Sequence, residues 1–261
     1  MTLETPTTPT VSGRLAGRRA IVTGAAGALG RVIAEALAAE GADVAGLDLN
    51  AAGLEDTAAA VRGYGVRALS ATADLTDFEA VQLAVADIEA QWGGVDILLN
   101  GAGGGAVSPF HEMTPETWQV QLDRNLTSVF NVTRAVLPGM LDRRFGRIIN
   151  IASIAAVSGG RLVRNATAYA AAKAGVIGLT KALAIEVAEQ GVTVNALAPG
   201  AQATPGRDND TAERREALLD QIPTRLLGEP EHLAQTVVFL AAPESVNITG
   251  VVLALDGGHS I

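Results

Sequence analysis

The chain has 261 residues, a formal charge of −9, 48% hydrophobic but only 3% aromatic residues, and no cysteine. That length suits one large α/β domain, and the absence of cysteine excludes disulfides, thiolate metal sites and cysteine nucleophiles. The acidic balance argues against nucleic acid as a partner, and the three scattered histidines, His111, His232 and His259, offer no metal-ligand spacing, so no metal is expected. Residues 1–15 carry neither a basic nor an apolar leader pattern and are read as a mobile arm; residues 16–261 are read as a single catalytic domain. No apolar run reaches the ~20 residues that span a bilayer, so the expectation is a cytoplasmic protein with no membrane partner.

From residue 18, a short β-rich run closes on glycine, residues 25–40 show helical apolar spacing, and a second apolar run at 42–48 ends on Asp48. The alternation continues with a helix at 51–63, a strand at 66–71, a helix at 77–92 and a strand at 95–99. Then come a long helical region at 115–144, a strand at 147–151, a helix at 166–188 and a strand at 192–197. Strands alternating with helices of this length predict a doubly wound, Rossmann-like parallel sheet, an α/β fold that binds ligands beyond the carboxyl ends of its strands.

The chemically distinctive residues fall just after those strands. Residues 23–30, Thr-Gly-Ala-Ala-Gly-Ala-Leu-Gly, join the first strand to its helix, where backbone N–H groups can face a pyrophosphate. Asp48 lies 18 residues beyond Gly30, where a carboxylate accepts from ribose hydroxyls and repels a 2′-phosphate. Neither Leu49 nor Asn50 supplies a cation for that phosphate, so NAD is expected over NADP. All but two of the 19 cations are arginine, and Lys173 sits four residues after Tyr169, one of only two tyrosines. Residues four apart share a helix face, so the two form a candidate acid/base pair in which the ammonium draws the phenol down from its ordinary pKa of ~10.

With the glycine cluster, Asp48, the Asn100-Gly-Ala-Gly run and Tyr169 with Lys173, the sequence resembles the short-chain dehydrogenase/reductase family from about residue 15 to 258. Asp74 with Leu75, Asn125, Ser153, Pro199 with Gly200, and the closing Asp256-Gly-Gly extend the resemblance. It implies that Gly24, Gly27, Leu29 and Gly30 hold the pyrophosphate, Asp48 and Leu49 the adenosine ribose, Asp74 and Leu75 the adenine edge, and Asn100, Gly101 and Ala102 the ribose floor. It further implies that Pro199, Gly200, Gln202 and Thr204 clasp the nicotinamide carboxamide. Tyr169 then acts as general acid/base, Ser153 bonds the reacting oxygen, Lys173 binds the nicotinamide ribose and keeps Tyr169 acidic, and Asn125 holds a water beside Lys173. The family habit of pairing through two long helices and through the last helix and strand implies a homotetramer.

The chain departs from the family pattern in three places. Ala28 stands where the family has its middle glycine, and Gly101 replaces a second asparagine. The 16 positions between Ser153 and Tyr169 imply a lengthened loop, with Ser158 a competing candidate for the serine role. Arg161 and Arg164 in that loop could receive an anionic substrate or face solvent, and residues 203–223 fall where the family keeps a substrate lid, with Pro205 and Gly206 as its hinge. The expected function is an NAD-dependent oxidoreductase that interconverts a small secondary alcohol and its ketone. The alternatives are an NADPH-type ketoreductase for 3-oxoacyl thioesters and a non-catalytic dinucleotide sensor.

Overall fold

The computed structural model describes residues 13–159, 164–207 and 209–261. Seven strands, β1 (Arg19–Thr23), β2 (Asp43–Asp48), β3 (Ala68–Thr72), β4 (Ile97–Asn100), β5 (Gly146–Ile151), β6 (Val192–Pro199) and β7 (Val252–Leu255), form one parallel sheet in the order β3-β2-β1-β4-β5-β6-β7. The order reverses between β1 and β4, which opens the crevice expected of a doubly wound sheet.

Side chains alternate between the two faces of each strand. Ala20, Val22, Leu99, Ile149 and Leu197 face one layer, built from α1 (Ala28–Ala39), α2 (Ala51–Arg62) and α9 (Pro230–Ala241). Ile21, Leu98, Ile148 and Val194 face the other, built from α3 (Phe78–Trp92), α5 (Ser128–Arg143) and α7 (Thr167–Val187). Both layers rest on Ala, Val, Leu and Ile, so β5 and β6 are buried along their whole length. No helix among the described residues is long and apolar enough to cross a membrane.

Several helix starts are written into single side chains. Asn50 accepts from Gly53 N at the start of α2, Asp77 from Glu79 N and Ala80 N at α3, and Thr114 from Thr117 N at α4 (Pro115–Leu122). Each such cap contributes about 1 kcal/mol. Helix α1 differs: Gly27 precedes it without a side-chain cap, so its first N–H groups stay free at the head of the crevice.

Four sequence expectations shift. Helix α1 begins at Ala28, because residues 24–27 are consumed by the turn that leaves β1. The long helix expected at 115–144 is interrupted by one π turn, Asp123–Thr127, between α4 and α5. Leu15, assigned to the arm, is fully buried, and its N–H donates to Glu40 O at 2.9 Å; residues 1–12 of the arm lie outside the described residues. Helix α9 and strand β7 had no sequence pattern assigned to them by residue number. Helix α6 (Ala155–Ser158) is a short turn after β5, and α8 (Ala212–Leu219) lies within the 203–223 segment without burying a residue.

Candidate active site

The crevice opens as a cleft of about 730 Å³ at the carboxyl ends of β1, β2, β3 and β4. One wall is nearly free of side chains. Gly24 has a left-handed φ of +72°, and a Cβ there would come within 2.9 Å of Ala102 Cα. At Gly30 a Cβ would meet Gly24 O at 2.1 Å, so helix and turn can close only on glycine. Thr23 ties this turn to the next one: its Oγ1 accepts from Gly101 N (3.0 Å) and Ala102 N (3.1 Å) and donates to Leu99 O. Asp48 braces the same turn, accepting from Ala26 N at 3.2 Å and from Asn50 N at 3.1 Å. At the end of β3, Asp74 accepts from Thr76 N and Thr76 Oγ1, and these two bonds hold its carboxyl below the ordinary range.

A second region is packed and polar. Lys173 on α7 is 3% exposed and donates from Nζ to Ile151 O at 2.7 Å; burial pushes its ammonium down to about 8. Tyr169, one turn earlier, has its phenol pushed above the ordinary value by burial, an effect partly opposed by the Ser153 hydroxyl. This reverses the expected sign. Lys173 Nζ lies 5.9 Å from the centre of the Tyr169 ring and is spent on the Ile151 carbonyl, so desolvation outweighs any pull it exerts on the phenol. Ser153 follows β5 directly and accepts from Ala155 N, whereas Ser158 donates to Ile154 O inside α6, so the structure favours Ser153 as the hydroxyl near the phenol.

Asn125 lies in the π turn and is fully buried. Its side chain donates to Gly104 O and Gln121 O and accepts from Gly104 N, all at 3.0 Å. The amide expected to hold a water is therefore engaged by backbone. Gln121, one turn earlier and also buried, accepts from Ala106 N at 3.3 Å. Together the two amides strap the glycine loop 103–106 over the pair on α7. A Cβ at Gly103 would lie 2.6 Å from Asn125 Oδ1, and one at Gly105 would lie 3.4 Å from the Tyr169 ring.

The short chain dehydrogenase family model matches residues 18–215. The chain belongs to the short-chain dehydrogenase family. Among relatives, the 3-oxoacyl-(acyl-carrier-protein) reductase of Vibrio cholerae is 42% identical over 244 residues, covering 94% of this chain and 98% of that protein. The acetoacetyl-CoA reductase of Shinella zoogloeoides is 41% identical over 243 residues, covering 93% of this chain and 98% of that protein. A crystal structure of the 3-oxoacyl-(acyl-carrier protein) reductase from Brucella melitensis superposes with a TM-score of 0.89 at 33% identity, covering 100% of this chain and 98% of that one.

Of the residues that the sequence nominates for this short-chain dehydrogenase, Gly24, Gly27, Leu29, Gly30, Asp48, Leu49, Asp74, Leu75, Gly101, Ala102 and Thr204 line the cleft. Others do not. The Asn100 side chain turns into the core, donating to Thr133 Oγ1 and to Asn150 Oδ1, and Asn150 in turn donates to Thr180 Oγ1. Pro199 and Gly200 close β6 against Ile154 N, Leu255 O and Asp256, and Gln202 bridges to Gly228 at the base of the 203–223 excursion. Tyr169, Lys173, Ser153 and Asn125 also stand outside the cleft lining. Of the two loop arginines, Arg164 is exposed and Arg161 lies outside the described residues. Sequence reasoning missed Thr76, Val120, Asp123, Arg124 and Ser128, all in the lining. Val120, Asp123, Arg124 and Ser128 come from α4, the π turn and the first residue of α5. Asp123 and Arg124 directly precede Asn125, which is the one signal that could have found them.

Proposed function

We propose that this chain reduces the keto group of a 3-oxoacyl thioester to a secondary alcohol, and runs the reverse oxidation, with NAD(H) as its dinucleotide. The observation that carries the reading is a tyrosine phenol held in its protonated form beside a serine hydroxyl and a buried ammonium. At neutral pH Tyr169 is the proton donor that a ketone oxygen requires as it becomes an alkoxide. Ser153 donates a hydrogen bond to the same oxygen and holds it in line. Lys173 supplies the positive charge that lowers the cost of the phenolate left behind. Asn125 and Gln121 keep the glycine loop seated over Tyr169, which limits water at the reacting oxygen.

The dinucleotide reading is supported by the glycine-walled cleft, which leaves room for phosphate oxygens at the uncapped start of α1. When bound there, the nicotinamide supplies hydride for reduction and accepts it in oxidation. Asp48 supports NAD over NADP, since a ribose diol can donate to its carboxylate and a 2′-phosphate cannot. The thioester class is supported by the names of the relatives, whose likeness runs nearly the full length of both chains. Exposed Phe130 and Ile185 on α5 and α7, with Phe239 and Leu253 on α9 and β7, supply apolar surface for a homotetramer.

A second reading keeps the chemistry and changes the substrate to another small alcohol or ketone; the NAD-type carboxylate Asp48 favours it, because cells keep NAD largely oxidised. Initial rates with acetoacetyl-CoA, cyclic ketones and carboxylated ketones, each with NADH and NADPH, separate the two. We expect the thioester to be reduced fastest, and with NADH. Turnover of the other ketones alone would install the second reading, and a preference for NADPH would overturn the argument from Asp48.

A further inference from the structure

The cleft lining carries three carboxylates, Asp48, Asp74 and Asp123, and a single cation, Arg124. Among the described residues Arg124 has no carboxylate within ion-pair distance, and its side chain is exposed. It lies in the π turn between α4 and α5. Successive residues on a helical turn point to different sides, so within the Asp123–Thr127 turn Asn125 is buried under the glycine loop while Arg124 is exposed and reaches the cleft. The next helix is anchored beside it: Asn131 on α5 donates to Leu75 O (2.9 Å) and Thr76 O (3.2 Å), which fixes this end of the element against the loop that ends β3. Arg124 and the Asp74 to Thr76 loop therefore line the same cavity, which Tyr169 and Lys173 do not line.

We propose that Arg124 recognises the adenosine half of the dinucleotide, with its guanidinium lying on the adenine face. The proposal rests on the dinucleotide reading of the cleft. A flat, weakly hydrated, unpaired guanidinium is the side chain best suited to cover an uncharged aromatic base. A phosphate on the ribose is the poorer occupant, because it would meet the Asp48 and Asp74 carboxylates around one guanidinium. Arg124 thus adds affinity for adenine without inviting the 2′-phosphate.

Calorimetric titration with NADH, NADPH and ADP-ribose tests the assignment in the full-length protein, its Arg124→Gln variant and its Arg124→Lys variant. Arg124→Gln is expected to raise the Kd for NADH and for ADP-ribose by about tenfold alike, as loss of one cation–π contact would. Arg124→Lys is expected to recover only part of that affinity, since it keeps the charge and loses the flat face. Equal affinities in all three proteins would overturn the proposal, as would full recovery with lysine, which would make the interaction one of charge with the pyrophosphate. A larger loss for NADPH than for NADH would make Arg124 a phosphate reader and overturn it as well. If the unsubstituted protein bound neither NADH nor ADP-ribose, the dinucleotide reading would fall and take this proposal with it; binding by the parent with no change in Arg124→Gln would remove Arg124 alone.

Discussion

The glycine-walled cleft and the packed polar region next to it are built on opposite principles. Around β1, α1 and β2 the working surface is backbone: glycines without room for a methyl group, free helix N–H groups, and Asp48 and Thr23 bracing turns. Around β5, α7 and the π turn it is buried side chains, with Asn125 and Lys173 committed to backbone partners. The first side leaves no room for added volume at its glycines. On the second, a buried polar group stripped of its partner keeps its desolvation cost, whereas a buried charge removed outright sheds one.

The largest effect expected from this contrast is at Lys173. Lys173→Met removes the charge that stabilises a Tyr169 phenolate, and reductive kcat is expected to fall by about a hundredfold or more. Stability should move the other way. The folded protein lowers the ammonium from 10.5 to about 8 through burial, so below pH 8 both folded and unfolded chains are protonated and the folded one bears the whole penalty. At ~1.4 kcal/mol per unit this is about 3 kcal/mol. Between pH 8 and 10.5 the folded chain is neutral while the unfolded chain still binds the proton, so the stability of the parent rises with pH. Denaturant titrations should show Lys173→Met more stable than the parent at pH 7 and the gap closed by about pH 10.5. A gap independent of pH would show that the lysine is not the titrating group. The same charge predicts that reductive activity declines as pH rises through about 8, which a pH–rate profile reads directly.

Gly30→Ala probes the backbone side. Its methyl group would sit 2.1 Å from Gly24 O, so the turn or the helix must shift. Overpacking of this kind costs about 1–3 kcal/mol, and weaker dinucleotide binding should accompany the loss of stability while the Lys173 pH signature stays in place. A variant with unimpaired binding would mean that the turn is softer than its geometry implies. The smallest effect is expected at Gln121→Leu, which removes the acceptor for Ala106 N and leaves Asn125 in place. About 1 kcal/mol of stability should go, by thermal or denaturant melting, with kcat reduced more than dinucleotide affinity because the loop it holds lies over Tyr169 and not over the glycine turn.

The same contrast governs what could be read from the sequence. The backbone side was legible because its meaning is local: the glycine turn, the strand that precedes it and Asp48 at the end of the next strand all follow from short spacings. The parallel, doubly wound character of the sheet followed from the alternation of strands and helices, whereas its strand order comes from the structure. The polar side was legible as residue types and not as contacts. Tyr169 and Lys173 were found by their i, i+4 spacing, yet the sign of the phenol's shift depends on burial, which no spacing reports. Asn100 was read as cleft floor, but its partners Thr133 and Asn150 are 33 and 50 residues away, and only the packed core shows that its amide points inward. The π turn that holds Arg124 and Asn125 has no pattern of its own; apolar spacing through 115–144 passes over it as continuous helix.

The central claim is that Tyr169 delivers the proton that completes ketone reduction. Single-turnover oxidation of enzyme-bound NADH by acetoacetyl-CoA at pH 7, followed at the reduced-nicotinamide absorbance in the parent and in Tyr169→Phe, tests it most directly. The account predicts that both proteins bind NADH with similar affinity and that the variant is slower by about a hundredfold to ten-thousandfold. An undiminished rate in Tyr169→Phe would contradict it.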